Sequence, residues 1–388
     1  MTQRILVVGA GIAGLATAVA LQRRGFEATI VEERIDTSVG AGISIWPNAL
    51  AALDEIGLGH AVRAAGGRVA AGAMRWSDGS WLRHPAPERI VKALGEPLVV
   101  VRRAVLTNLL VDALADSTIE SSLAAEELVL TATGVRVTMS DNSIREVAAV
   151  VGADGVGSMV ARHLNGSLRH RYAGYTAWRG IAEHALDLEL AGETVGAGTE
   201  FGHVPLGPDH TYWFGTERRP EGTASPVGEL AYLRAKYRAW ADPIPALLDA
   251  TDQDAVLRND LYDREVARQW SRGPVVIVGD AAHPMRPHLG QGGCQGLEDA
   301  ATLAHVLGSG PTLPADLPGV FARFAAFRKP RTRALALESR LVGRIVNAQP
   351  ALLSAAAMRA SAVVPEVVLT RHLAAVAGRS AFVLPVER

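Results

Sequence analysis

Apolar and polar positions first organise the chain at its amino end. Residues 4–8 and 28–32 are short, nearly unbroken apolar runs of strand length, and residues 14–24 between them have helical character. Strand, glycine-rich turn, helix and strand in that order predict a β-turn-α-β unit that opens a parallel sheet. Residues 49–56 predict a helix. Residues 103–115 predict a clearer one, with Leu106, Leu109, Leu110 and Ala113 on one face. From residue 126 the period becomes two. Val135, Val137 and Met139 alternate with polar neighbours, Asp141-Asn142 marks a turn, and residues 146–151 form an apolar strand. Residues 200–206 and 211–216 read as a hairpin across Gly207-Pro208-Asp209. Residues 274–278 read as a buried strand, followed by a loop and a helix over 294–307, and the chain is mostly helical from 317 onward. There is no internal repeat.

The length of 388 residues suits two interleaved domains, and a hydrophobic content of 48% supplies a large core. With 39 basic against 40 acidic residues the net charge is −1, which gives no electrostatic reason to expect nucleic acid or an anionic membrane as partner. Cys294 is the only cysteine. It excludes an internal disulfide, a paired-cysteine redox site and a cysteine-based metal site, and fits a cytoplasmic location. The apolar run 5–21 after Arg4 resembles a signal core. It is broken by glycines, is shorter than the ~20 residues of a span, and is followed by Gln22-Arg23-Arg24-Gly25 with no small-residue cleavage site. Arg359 and Pro365 interrupt the apolar carboxyl-terminal region, so no membrane span is expected.

Three motifs carry chemistry. The first is Gly9-Ala10-Gly11-Ile12-Ala13-Gly14, a G-x-G-x-x-G between strand and helix. Gly9 allows the tight turn, Gly11 lets the backbone approach a pyrophosphate, and Gly14 allows close packing of helix on strand. The helix start then presents free N–H groups to the phosphates. Glu32 closes the second strand about 20 residues on, where an acid accepts from a ribose hydroxyl and disfavours a 2′-phosphate. The tightly held nucleotide is therefore FAD or NAD. The second motif is Gly152-Ala153-Asp154-Gly155, which alone also reads as an Asp-capped turn. The third runs Gly279-Asp280-Ala281-Ala282-His283-Pro284-Met285-Arg286-Pro287-His288-Leu289-Gly290-Gln291-Gly292-Gly293. Asp280 can accept from ribityl hydroxyls. Gly292 and Gly293 expose N–H groups at a helix start, where they stabilise negative charge near N1 and the C2 carbonyl of a flavin.

In this order and spacing the motifs resemble the FAD-dependent aromatic hydroxylases of the p-hydroxybenzoate hydroxylase type (group A flavoprotein monooxygenases), nearest the salicylate and urate hydroxylase branch. Gly40-Ala41-Gly42-Ile43-Ser44-Ile45-Trp46-Pro47-Asn48, Arg103 with Leu106, and Arg171-Tyr172-Ala173-Gly174-Tyr175 extend the likeness over nearly the whole chain. The resemblance implies an α/β fold. A Rossmann-like FAD-binding domain (1–73, 100–173 and 271–388, with carboxyl-terminal helices) is interleaved with a β-sheet substrate domain (74–99 and 174–270). It implies tightly bound, non-covalent FAD, with NADH or NADPH as a transient co-substrate that needs no second nucleotide fold. Gly9, Gly11, Gly14 and Glu32 would hold the ADP half, Arg103 the FAD backbone, Asp280 the ribityl chain, and Gly292 and Gly293 the isoalloxazine. Asp154 belongs to the motif associated with both FAD and NAD(P)H. Ala13, Glu33, Arg34, Gly42, Pro287 and Gly290 complete the candidate cofactor residues.

The implied cycle reduces the flavin with NAD(P)H, adds dioxygen at C4a to form a hydroperoxide, and passes the distal oxygen to an electron-rich ring carbon of a small aromatic or heteroaromatic substrate. Four residues are candidates for the substrate chemistry. His203, on a strand face shared with Phe201, could take a phenolic proton or be satisfied within the sheet. Tyr212, on a face shared with Phe214, is similar to a tyrosine of the urate branch. His288 lies in the Pro-flanked loop. The urate branch has a carboxylate there, which argues against urate, whereas salicylate-type relatives can carry Pro-His. Arg179 could meet a substrate carboxylate or brace the sheet. His283 reads as structural, Arg286 as a charge that meets the nicotinamide cofactor or is simply solvated, and Cys294 as a thiol activated by the helix start or a small buried hydrophobe. The tryptophans 46, 76, 81, 178 and 213 line an aromatic-friendly cavity or belong to the core. Two other readings stay open: a flavin oxidase or dehydrogenase of the same fold, and a non-catalytic nucleotide-binding module. A monomer or homodimer is expected.

Overall fold

The computed structural model describes residues 3–34, 42–70 and 72–386. Gly40 and Ala41 of the Gly40–Asn48 segment lie outside them. The six-stranded sheet has the order Ser271–Arg272, Val275–Ile277, Ala149–Gly152, Ile5–Val8, Ala28–Glu32, Ile119–Ser121. All neighbours are parallel except the first edge pair. Ile5–Val8 is central and buried at every position, which is why its sequence does not alternate. The helices Ile12–Arg23 and Gly292–Leu307 pack together against this sheet within one large apolar core.

The expected strand over 146–151 is two strands. Ile144–Val147 pairs antiparallel with Val135–Thr138, whereas Ala149–Gly152 pairs parallel with Ile5–Val8. Ala148, whose N–H donates to Arg4 O at 3.0 Å, is the crossing point. Both sheets bury apolar side chains, so hydropathy carries no mark of the change.

The second large sheet has seven strands in the order Leu257–Arg264, His170–Ala182, Thr211–Glu217, Thr199–Pro205, Gly192–Gly196, Met74–Trp76, Trp81–Arg83. Its register assigns each side chain to a face. Gly202 pairs with Phe214, His203 with Trp213 and Val204 with Tyr212. The helices Glu229–Tyr237 and Ile244–Asp249 cover one face, over Trp178, Phe201 and Trp213. Phe201 and Trp213 stack there with centroids 5.3 Å apart. The other face carries Ile181, Val204, Tyr212 and Phe214. It meets Val100 of the small sheet of Gly42–Ile45, Leu98–Arg102 and Gly67–Val69, and Trp46, which follows the first of those strands.

The carboxyl-terminal region is helical, as expected: Leu317–Val346, Ala351–Ser361 and Glu366–Ala377. Among the described residues no single helix is long and apolar enough to cross a membrane. The last two helices pass that test only as a pair, bent by 101°.

Candidate active site

The first motif forms the turn its glycines predict. Gly9 has φ +103°, and a Cβ there would lie 2.6 Å from Ala153 O; one at Gly14 would lie 1.9 Å from Gly9 O. Those two glycines serve packing. Gly11 differs: among the described residues a Cβ there would meet nothing within 4 Å. The space it leaves open stands before the first turn of the helix Ile12–Arg23, which no side chain among the described residues caps. An anionic group fits such a cradle through free N–H donors. Glu32 borders it, accepting from Ala10 N at 2.6 Å and Arg34 N at 2.8 Å. Glu33 and Arg34 are exposed beside it.

Ala13 joins the first motif to the third. A side chain at Gly279 or Gly296 would meet the Ala13 methyl at 2.7 or 3.0 Å. The Gly279-Asp280 turn therefore sits directly against the dinucleotide helix. Asp280 reaches solvent although protein surrounds it. The surrounding protein pushes its carboxyl up, while His283, Arg264 and Arg103 pull it down. Arg103 opens its helix, Arg103–Val111, near this point.

Asp154 spends its carboxylate locally. Oδ1 accepts from Ser158 Oγ at 2.5 Å, and Oδ2 accepts from Met159 N and Val160 N at 2.7 and 3.2 Å. The second motif is thus a cap on the helix Met159–Asn165.

A buried polar network fixes the third motif from below. Asp299 Oδ2 accepts from Gly279 N at 2.8 Å and contacts His283 Nε2 at 2.6 Å; its Oδ1 accepts from Arg328 Nε at 2.7 Å. Arg328 also donates to Glu298 Oε2 at 2.5 Å, and Arg331 to Glu298 Oε1 at 3.0 Å. Burial pushes both carboxyls up, but His283 and Arg328 at Asp299, and the two arginines at Glu298, hold them below the ordinary range. His283 is structural, as read from the sequence. The acids and Arg328 escaped the sequence reading because nothing local pairs them.

The helix Gly292–Leu307 begins uncapped by any side chain among the described residues. Gly290 is left-handed, φ +61°, and a Cβ there would lie 2.7 Å from Trp46 Nε1. Trp46 Nε1 and Gln291 Nε2 are buried donors without a hydrogen-bond partner among the described residues. A planar polar ring against this helix start would find donors there, so the residues present fit a flavin. Cys294 is buried beneath, its thiol pushed up to about 12 by burial, so it is a small hydrophobe and not a nucleophile.

The candidate substrate residues separate by face. Tyr212 is buried on the inner face, and a Cβ at Gly42 would fall 2.4 Å from its ring. Arg179 pairs in register with Phe214, so it lies on the same face. Arg179 donates to Asn259 Oδ1 at 3.0 Å and draws down the Tyr212 hydroxyl that burial pushes up. It both braces the sheet and faces the inner side. His203 is a correction: it lies on the helix-covered face with Phe201 and Trp213, 3.2 Å from Thr194 Oγ1. Burial, helped by the charge of Arg75, lowers it to about 3, so it stays neutral and takes no substrate proton. Trp178 and Trp213 are core on that same face, and Trp81 is 41% exposed; Trp46 alone of the five tryptophans stands at the Gly290 turn.

His288 comes from the loop Pro287–Leu289 and inserts its ring into the polar end of the inner face. Its Nδ1 is 3.2 Å from Glu200 Oε1 and its Nε2 is 2.8 Å from the Tyr175 hydroxyl. The side chain is 2% exposed. Thr216 Oγ1 donates to the same Glu200 oxygen at 3.0 Å. Burial pushes Glu200 up, but His288 and Thr216 bring it below the ordinary range. Glu193, on the neighbouring strand and partly exposed, is raised to about 7 by burial and the charge of Glu200, against His288. Arg286 is a second correction. It is buried, not solvated, donating to both oxygens of Asp263 at 2.9 and 2.6 Å with its guanidinium over the Tyr175 ring. Gly343 of the carboxyl-terminal helix closes the pocket: a Cβ there would lie 2.6 Å from His288 Nε2. Glu193, Glu200 and Tyr175 had no role in the sequence reading. A polar strand position facing inward was the one available signal, and it needs the register to be recognised.

Comparison with known proteins agrees with this geometry. The model of a family described as FAD binding domain matches residues 2–311. The aurachin C monooxygenase/isomerase of Stigmatella aurantiaca is 36% identical over 344 residues, 88% of this chain and 89% of that protein. The 3-amino-4-hydroxybenzoate 2-monooxygenase of Streptomyces cremeus is 33% identical over 339 residues, 85% of this chain and 84% of that protein. The chain spans about half the length of the plant zeaxanthin epoxidases it also matches. Among solved structures, Klebsiella pneumoniae HpxO complexed with FAD and uric acid aligns with a TM-score of 0.86 at 26% identity, covering 96% of both chains.

Proposed function

The chain belongs to the FAD-binding-domain family, and on that premise we propose that it is an FAD- and NAD(P)H-dependent monooxygenase that hydroxylates a small aromatic or heteroaromatic substrate. One observation carries the reading. The loop that leads into the uncapped helix start also places His288 on the inner sheet face that bears Tyr212 and Phe214. Cofactor cradle and substrate wall are thus two sides of one structure.

When bound, FAD supplies hydride acceptance from NAD(P)H and the activation of dioxygen. Gly11, Glu32 and the first helix start would hold its ADP half; Asp280, Gly292 and the donors Trp46 Nε1 and Gln291 Nε2 would hold the remainder. The apolar end of the wall, Ile181, Val204, Tyr212 and Phe214, binds an aromatic ring and excludes water. Arg179 and the Tyr212 hydroxyl orient a polar substituent. Tyr175, His288 and Glu200 form a phenol–imidazole–carboxylate chain. Glu200 fixes the imidazole through Nδ1, so that Nε2 exchanges a proton with the Tyr175 hydroxyl and, through it, with a ring hydroxyl. Deprotonation makes such a ring a better acceptor of oxygen.

The test is a screen of NADH and NADPH consumption by the FAD-loaded protein against phenols and heteroaromatics, with mass analysis. A product heavier by one oxygen atom is expected. Stoichiometric peroxide with no oxygenated product across the panel would reject the assignment in favour of an oxidase.

A further inference from the structure

A solvent-open cleft of about 680 Å³ lies between the loop after the helix Met159–Asn165, the end of the strand Leu257–Arg264 and the long carboxyl-terminal helix. None of the candidate flavin residues lines it. Six arginines do: Arg169, Arg171, Arg264, Arg268, Arg340 and Arg344. The acids in its wall are Asp263 and Glu265, so six positive charges against two negative leave a surplus of four. In a chain of net charge −1 that is a strong local concentration. Both acids are already engaged. Asp263 takes the bidentate pair from Arg286, with Arg340 at 3.5 Å, and Glu265 takes Arg268 at 3.1 Å. Among the described residues the side chains of Arg169, Arg171 and Arg344 have no hydrogen bond or salt bridge.

The cleft is tied to the flavin motifs through Arg264. Its guanidinium donates to Ala281 O at 2.7 Å and Val156 O at 3.3 Å, bridging the turn after Asp280 and the turn after Asp154. The volume falls in the range of small-ligand sites, roughly 300–1,000 Å³. Planar guanidinium groups pair with phosphate oxygens two at a time, and unpaired arginines crowded together repel until an anion arrives. Arg340 and Arg344 lie beyond residue 311, where the family match ends, so this part of the wall belongs to the carboxyl-terminal helix of this chain.

We propose that this arginine cleft binds the diphosphate of the nicotinamide dinucleotide and so docks the reductant. The proposal rests on the monooxygenase reading. It gives the chain a nucleotide site without a second glycine-turn fold: charge and guanidinium geometry replace the helix start that the FAD diphosphate uses.

The test uses the FAD-loaded protein and the double variant Arg169→Gln/Arg344→Gln. Neither side chain holds the fold together, and circular dichroism with flavin content checks that. Calorimetric titration with NAD⁺ and NADP⁺ reads binding without turnover, and anaerobic bleaching of the flavin by NADH and NADPH reads productive docking. Expected are dinucleotide binding weakened by about tenfold or more, a matching rise in the concentration for half-maximal bleaching, and unchanged retention of FAD. Inorganic pyrophosphate should compete with the dinucleotide in the wild type, and added salt should weaken the wild type more than the variant. Unchanged dinucleotide binding overturns the proposal. So does a selective loss of FAD retention, which would assign the cleft to the flavin diphosphate, or pyrophosphate binding that does not compete with the dinucleotide. A wild type that takes up no FAD overturns the monooxygenase reading and this site with it, and is told apart because it shows before any substitution.

Discussion

Replacing Glu193 by Gln probes the charge balance of the inner sheet wall. In the folded chain this carboxyl titrates near about 7, against an ordinary value of 4.5, because burial and the charge of Glu200 disfavour its ionised form. Between these values the folded protein keeps a proton that the unfolded chain has released. The native state binds more protons there, so stability falls as pH rises through the window; below 4.5 nothing is lost, and above about 7 the full cost stands. A gap of about 2.5 pH units corresponds to about 3 kcal/mol. Glu193 is partly exposed, and solvent screening reduces this to about 1–2 kcal/mol. Gln has no proton to lose, while Glu200 and His288 remain in both proteins. The variant should match the wild type near about pH 5 and exceed its stability by about 1–2 kcal/mol at about pH 8. Urea unfolding at steps across that range measures the difference. Parallel curves for the two proteins, or a variant advantage that shrinks as pH rises, would refute the reasoning.

Gly11→Val should leave the fold intact, since a Cβ there would meet nothing within 4 Å among the described residues, yet abolish flavin uptake; a variant that stays yellow through gel filtration contradicts the cradle. His288→Gln retains hydrogen bonding but cannot carry a proton between Glu200 and Tyr175. Product formation should slow by about 10²-fold or more while the bound flavin spectrum is unchanged, and a wild-type rate would remove His288 from the relay. Arg328→Met leaves Asp299 and Glu298 buried with one cation fewer and should cost about 3–5 kcal/mol in urea unfolding, with weaker FAD retention through the freed Gly279 turn. A loss under about 1 kcal/mol would show that the network relaxes.

Local signals were legible in the sequence. The glycine turn is specified by residues within one strand and one helix, and the hairpin expected over 200–206 and 211–216 is found at Thr199–Pro205 and Thr211–Glu217. Facing was not legible. Alternation groups His203 with Phe201 and Tyr212 with Phe214, but it does not say which group looks toward the cavity; helices from residues 229–249 decide that. The strand His170–Ala182 carries no alternation to read, because its stretch Tyr175–Trp178 is buried at every position and glycines interrupt it. The partners of His288 and Arg286 are distant in the chain, so the pairing that buries the loop histidine, and the arginine read from sequence as solvated, carries no local signal. Asp154 shows the reverse: its local reading as a cap describes its bonds fully.

The missing side chain at Gly343 has a consequence for exchanging parts between relatives. The loop histidine occupies the volume that any larger residue would need, and Arg286 Nη1 lies only 3.0 Å from the same point. A transplanted tail carrying alanine or valine at that position would evict the imidazole from between its two partners. Chimaeras that keep the chain up to the long helix Leu317–Val346 and swap that helix should therefore fail through a displaced histidine, and restoring one glycine should rescue them.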